Sequence, residues 1–145
     1  LIRLLQATHL LTAAVAVGSG AMIAVRAIGW QRPDEPFETV WKRFAPWLAG
    51  SLAVMAATGI AQTLGDPVRE FTATSYWVKL ALLSGCITAT LLLVRAARRA
   101  PATADFSPAA KLVALALIVS WLALPALGRM IGYDLAIWGE LSLRE

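Results

Sequence analysis

Along the chain, four long apolar stretches alternate with short polar ones. The stretches run over 4–25, 44–64, 76–94 and 109–133, and the gaps between them hold almost all the charge. A helix that crosses a bilayer needs about 20 mostly apolar residues, because each residue advances it by about 1.5 Å. All four stretches reach or nearly reach that length. The pattern predicts an all-α integral membrane protein: a four-helix transmembrane bundle with both termini on the same side. A single transmembrane domain accounts for 1–145. Its tail, 134–145, is read as a short amphipathic segment with Leu135, Ile137, Trp138 and Leu141 on its apolar face.

The polar gaps carry start and stop signals. Asp34, Glu35 and Pro36 offer a cap, an acidic first turn and an early proline, so a helix is expected to begin ahead of the second stretch. Phe37, Trp41 and Phe44 are expected along the membrane interface, with Pro46 kinking the helix just beyond. Gly65-Asp66-Pro67 stops the second stretch, and Ser107-Pro108 is a cap followed by a first-turn proline for the fourth. Trp30, Trp41, Trp47, Trp77 and Trp138, with Tyr76 and Tyr133, cluster near the boundaries, as interfacial aromatics do.

Helices in lipid associate through small residues and a few hydrogen bonds, so the small and polar stripes are expected to face inward. These stripes are Ala13, Ala16, Ser19 and Gly20 in the first helix and Ser51, Met55, Thr58 and Gln62 in the second. The third offers Ser84 and Thr88 one turn apart, and the fourth a Gly128/Gly132 pair after Pro125. That glycine pair serves either packing within the bundle or docking of another subunit.

Composition agrees with the membrane reading. The chain is 59% hydrophobic with mean hydropathy +0.67. Thirteen Lys and Arg against nine Asp and Glu give a net charge of +4. The cations sit at helix ends, where they set topology and meet anionic lipid; nucleic acid is not the expected partner. Arg26, Arg32, Lys42, Arg43, Arg95, Arg98, Arg99 and Lys111 fall in the two longer loops, against Arg3, Arg69, Lys79, Arg129 and Arg144 at the other end. The richer loops are expected in the cytoplasm of a bacterial cell, with both termini on the periplasmic side of its inner membrane. Cys86, the single cysteine, lies mid-span and is read as a small buried hydrophobe. The chain opens on Leu1 rather than Met, so an N-terminal piece is expected to be either removed or absent from this sequence. Its first apolar stretch is too long for a secretory signal.

Counting depth along the helices puts several polar residues in one slab beneath the headgroups on the termini side. His9 and Gln6 lie one to two turns into the first helix, and Gln62 less than a turn from the end of the second. Tyr76 and Lys79 open the third, and Arg129 lies about a turn inside the fourth. Asp66, Glu70 and Asp134 lie just above as counter-ions. Charge within a membrane is costly, so this layer is the candidate site, with His9, Gln62, Lys79 and Arg129 as its binding residues. Lys79 can instead extend its head to the interface. Arg129 forms either an ion pair, with Asp66 or Asp134, or an anion site. His9 is the only histidine and a possible metal ligand. It either hydrogen-bonds a neighbouring helix or ligates haem, copper or a chlorophyll-type pigment. No cofactor is required by the sequence, and Met22, Met55 and Met130 are scattered in depth.

Several short elements together carry a resemblance. Thr8-His9-Leu10-Leu11, Val17-Gly18-Ser19-Gly20 and Arg26-Ala27-Ile28-Gly29 open the chain, and Pro46-Trp47 and Thr58-Gly59 follow in the second helix. Asp66-Pro67, Lys79-Leu80 and the closing run Gly128-Arg129-Met130-Ile131-Gly132-Tyr133 complete the set. This pattern resembles a bacterial family of membrane proteins known only as a domain of unknown function. A looser likeness reaches CopD-type copper-resistance membrane proteins, which also carry a histidine in the opening helix, although the further histidines and methionines of copper handling are absent. The resemblance implies a four-helix fold and draws attention to His9, Lys79 and Arg129.

No nucleophile–base pair, metal cluster or phosphate loop is present, which disfavours a soluble-type enzyme. The leading expectation is a non-catalytic accessory subunit of a larger respiratory, photosynthetic or dehydrogenase-type membrane complex, with other membrane subunits as partners. The alternatives are a tetrapyrrole- or quinone-binding redox protein using His9 and Arg129, and a small transporter or copper-uptake-like protein.

Overall fold

A computed structural model describes residues 2–30, 34–99 and 105–143. Four long helices dominate: α1 (Ile2–Ile28), α2 (Phe37–Gly65), α4 (Thr74–Arg99) and α5 (Pro108–Met130). Between α2 and α4 lies the short α3 (Pro67–Phe71), and after α5 come a 3-10 turn, α6 (Asp134–Trp138) and a second 3-10 turn. Each long helix is apolar and long enough to cross a membrane; the first three predicted stretches fall within α1, α2 and α4, and the fourth runs from α5 into the 3-10 turn that follows it. Arg32 and Arg144 lie outside the described residues.

The stop and start signals operate as read. α2 ends at Gly65, and the Asp66 side chain accepts from the Arg69 N–H at the start of α3, with Pro67 in its first turn. Ser107 accepts from the Ala110 N–H at 3.2 Å, with Pro108 opening α5. The start of α2 differs from expectation. Pro36 occupies the cap position with no side-chain bond, and the acid in the first turn is Glu38. α2 remains one helix through Pro46, as α5 does through Pro125.

α1 is the central helix, packing on α2 along one side and α5 along the other, while α4 packs on α5. α2 and α4 meet only lightly. The inner face of α1 is the predicted small stripe, Ala13, Ala16, Ser19 and Gly20, continued by Ile23, Ala24 and Ala27. Trp121 of α5 lies in the notch at Gly20: a Cβ there would sit 2.5 Å from its ring. The indole is buried, and among the described residues its Nε1 has no hydrogen-bond partner. Close packing of the ring on the α1 backbone is thus what holds it. Large apolar side chains such as Leu11, Trp47, Ile60 and Leu122 point outward, where lipid covers them.

Three packing expectations are corrected. Ser84 and Thr88 are exposed; α4 turns Cys86, Thr90, Leu93 and Val94 inward instead. Ser84 needs no inward partner, because its hydroxyl donates to the Leu80 carbonyl of its own helix. Phe37 is buried edge-to-face against Phe106, and Trp41 and Phe44 pack on the core rather than along an interface. Gly132 lies beyond α5 with open space around it, so Gly128 and Gly132 do not form a helical pair.

The loops opposite the termini are laced by ion pairs: Arg43–Glu35 at 2.6 Å, Arg98–Glu38 at 3.3 Å and Lys111–Asp105 at 2.7 Å. The Lys111 ammonium, hydrogen-bonded to Asp105, holds that carboxyl below the usual carboxylate range.

Candidate functional site at the termini end of the bundle

His9 reaches from α1 to α2, where its Nδ1 lies 2.8 Å from Thr58 Oγ1. The Thr58 hydroxyl has one proton and directs it to the Val54 carbonyl of its own helix at 2.8 Å. Oγ1 therefore accepts from Nδ1–H, and the lone pair of the imidazole resides on Nε2. The ring lies over Gly59, where a Cβ would stand 3.4 Å from Cε1. One turn on, Gln62 Nε2 donates to the Thr58 carbonyl at 3.1 Å. The polar stripe of α2 thus faces α1, and Thr58 is its hub.

Lys79 comes from α4 and lays its side chain across Gly128 of α5; a Cβ there would meet Nζ at 3.5 Å. His9, Lys79 and Glu70 are within electrostatic range of one another. Glu70 is the buried acid of α3 and pairs with Arg69 at 2.9 Å. Two long helices, α1 and α4, and the short α3 therefore bring an imidazole, an ammonium and a carboxylate into one layer. Next to Glu70 and Lys79 along the chain, Tyr76 packs edge-on against Phe71 and Trp77, with Trp77 Nε1 donating to the Phe71 carbonyl at 3.0 Å.

Arg129 stands differently. It is exposed, one residue from the end of α5, and among the described residues it shares no hydrogen bond or ion pair with His9, Gln62 or Lys79. Its expected counter-ions are engaged elsewhere. Asp66 caps α3 and lies 3.7 Å from Arg69 Nε. Asp134 is fully buried at the start of α4, where its carboxylate accepts from the Thr74 and Ser75 N–H groups at 3.0 and 2.9 Å. Ser142 Oγ donates to it at 2.6 Å. The first N–H groups of a helix lack intrahelical acceptors, so a carboxylate there is held by hydrogen bonds and by the helix dipole. The tail closes the arrangement: Trp138 Nε1 donates to Ser75 Oγ at 2.8 Å, and Thr74 Oγ1 to the Leu141 carbonyl at 2.7 Å. Leu135, Ile137 and Leu141 of this tail face outward.

Sequence reading missed Thr58, Gly59 and Gly128 as seats for the polar side chains, and it placed Glu70 above the layer rather than in its wall. The available signal was a small residue at the same depth as a long polar side chain on another helix. Among the described residues, no group of three or more His, Cys, Asp or Glu is placed to hold a metal ion.

Four bilayer-length helices packed through small residues and tied by polar groups at one end define a multi-pass helical membrane protein. The chain belongs to a family of unknown function (DUF6644), which it matches over residues 2–134. No curated protein and no solved structure matches it, and no match connects it with the CopD-type proteins. Of the elements that carried the resemblance in sequence, Thr58-Gly59, Lys79 and Gly128 lie in the layer described above, whereas Arg129 lies outside it.

Proposed function

We propose that this protein is a non-catalytic accessory subunit of a larger bacterial membrane assembly of respiratory, photosynthetic or dehydrogenase type. One observation carries the reading: the buried polar groups of the termini end fasten the chain to itself. His9 ties α1 to α2 through Thr58, Lys79 lies across α5, and Asp134 ties the tail to α4. A module held this way presents a fixed outer surface of apolar and aromatic side chains to lipid and to neighbouring subunits. Purification from native membranes in a mild detergent tests it. A larger species containing defined partner subunits is expected; a single small monodisperse species with no partner would overturn the proposal.

The His9 geometry favours a second reading, a tetrapyrrole- or quinone-binding redox protein. A histidine that donates Nδ1–H to a neighbour presents Nε2 as a metal ligand or proton acceptor, and Lys79 stands near to meet a propionate or a carbonyl. An absorption spectrum and quinone extraction of the native preparation decide it: a colourless, quinone-free protein sinks this reading. A transporter reading would call for a broken helix or a deep charged site, and it draws no support from α5 unbroken at Pro125 or from an exposed Arg129. The bias of Lys and Arg supports a cytoplasmic position for the 26–43 and 95–111 end, with both termini periplasmic.

A further inference from the structure

At the end of the bundle opposite His9, the described cations outnumber the acids available to them. Arg43, Arg98 and Lys111 pair with Glu35, Glu38 and Asp105. Lys42, Arg95 and Arg99 are exposed and make no ion pair among the described residues. The Glu38–Arg98 pair fixes where two of them fall, because it joins the start of α2 to the end of the antiparallel α4. Lys42 lies four residues after Glu38, and Arg95 three before Arg98. Each therefore shares its neighbour's helix face about one turn, roughly 4.5–6 Å, closer to the bilayer centre. Lys42 and Arg95 thus flank one seam at one depth. Along it, α2 and α4 pack only lightly on each other. Beneath the two cations, its α2 side carries the exposed small residues Pro46 and Ala49, and its α4 side carries Leu91 and Leu92, 44% and 55% exposed.

We propose that this seam binds the head group of an anionic phospholipid. Lys42 and Arg95 hold its phosphate, and an acyl chain lies along the apolar groove between α2 and α4. An Arg fork and a Lys point charge suit phosphate oxygens, and basic sites between transmembrane helices at headgroup depth select anionic lipid. A zwitterionic lipid offers the same phosphate but brings its own cation, which two neighbouring basic groups repel. This inference does not depend on what the His9 layer does.

The test is native mass spectrometry of the full chain, delipidated in mild detergent and titrated with phosphatidylglycerol or phosphatidylcholine. Phosphatidylglycerol adducts are expected to be favoured roughly tenfold or more. The Lys42→Gln/Arg95→Gln double variant should lose that preference, while Lys111→Gln, whose charge is already paired, should keep it. Thermal unfolding checks each variant; if the double variant does not fold, Arg95→Gln alone is read, with a several-fold loss expected. Equal adducts with both lipids, or an undiminished preference in the variant read, would overturn the proposal. Inorganic phosphate at millimolar concentration should not displace the lipid. Displacement would mark a simple phosphate site and overturn the lipid assignment.

Discussion

Gly20 decides how closely α1 and α5 approach, since any side chain there meets the Trp121 ring. Gly20→Ala must push the two helices apart or force the indole from its seat. Overpacking of this kind costs about 1–3 kcal/mol, read as a lower midpoint of thermal unfolding in detergent. An unchanged midpoint would mean the helices spread freely. Thr58 is the second residue that sets a helix pair. Hydrogen bonds between membrane helices are worth about 0.6 kcal/mol, reaching about 1.7. A double-mutant cycle of His9→Ala with Thr58→Val should return a coupling energy in that range, and zero coupling would dismiss the tie. Counting along each helix sets how far His9 and Gln62 lie from the helix ends but does not pair His9 with Thr58. Depth follows from counting along one helix; pairing depends on how two helices rotate against each other.

Among elements, the start of α4 is supported from far away in the chain. Its first N–H groups are capped by Asp134, 60 and 59 residues distant, rather than by a neighbour in sequence. Asp134→Ala leaves the Thr74 and Ser75 N–H groups without their acceptor. Loss of a cap costs about 0.5–2 kcal/mol, and the tail loses its main anchor. Limited proteolysis should then cut within 134–143 faster than in the parent protein. Equal rates would show that Trp138 and Leu141 hold the tail unaided. The tail was readable as amphipathic, but its polar side turns toward α4 and its apolar side outward. Only the position of the α4 N-terminus explains that choice.

At the scale of the whole molecule, the chain places small residues between helices and large apolar ones on its surface, an arrangement stable only where lipid covers the outside. Its orientation is open to direct measurement. Cys86 is buried, so a new thiol introduced on the surface is read without competition from it. Val68→Cys, at an exposed position of α3, should react with an impermeant maleimide in intact cells. Asp34→Cys should react only once the membrane is opened. The reverse pattern would invert the topology proposed above.

By itself the sequence determined the four membrane helices, the break at Gly65-Asp66-Pro67 and the cap at Ser107. Each depends on hydrophobic length or on bonds within a few residues, so local order suffices. The tertiary structure decided which face each helix turns inward and which partner each charge takes. Lipid is as apolar as a leucine side chain, so hydropathy does not distinguish the inside of a membrane bundle from its outside. For that reason Ser84 and Thr88 of α4 could not be told from Cys86 and Thr90, nor the exposed Arg129 from a member of the His9 cluster. Close packing at Gly20, Gly59 and Gly128 made those choices, and it exists only between helices that have already met.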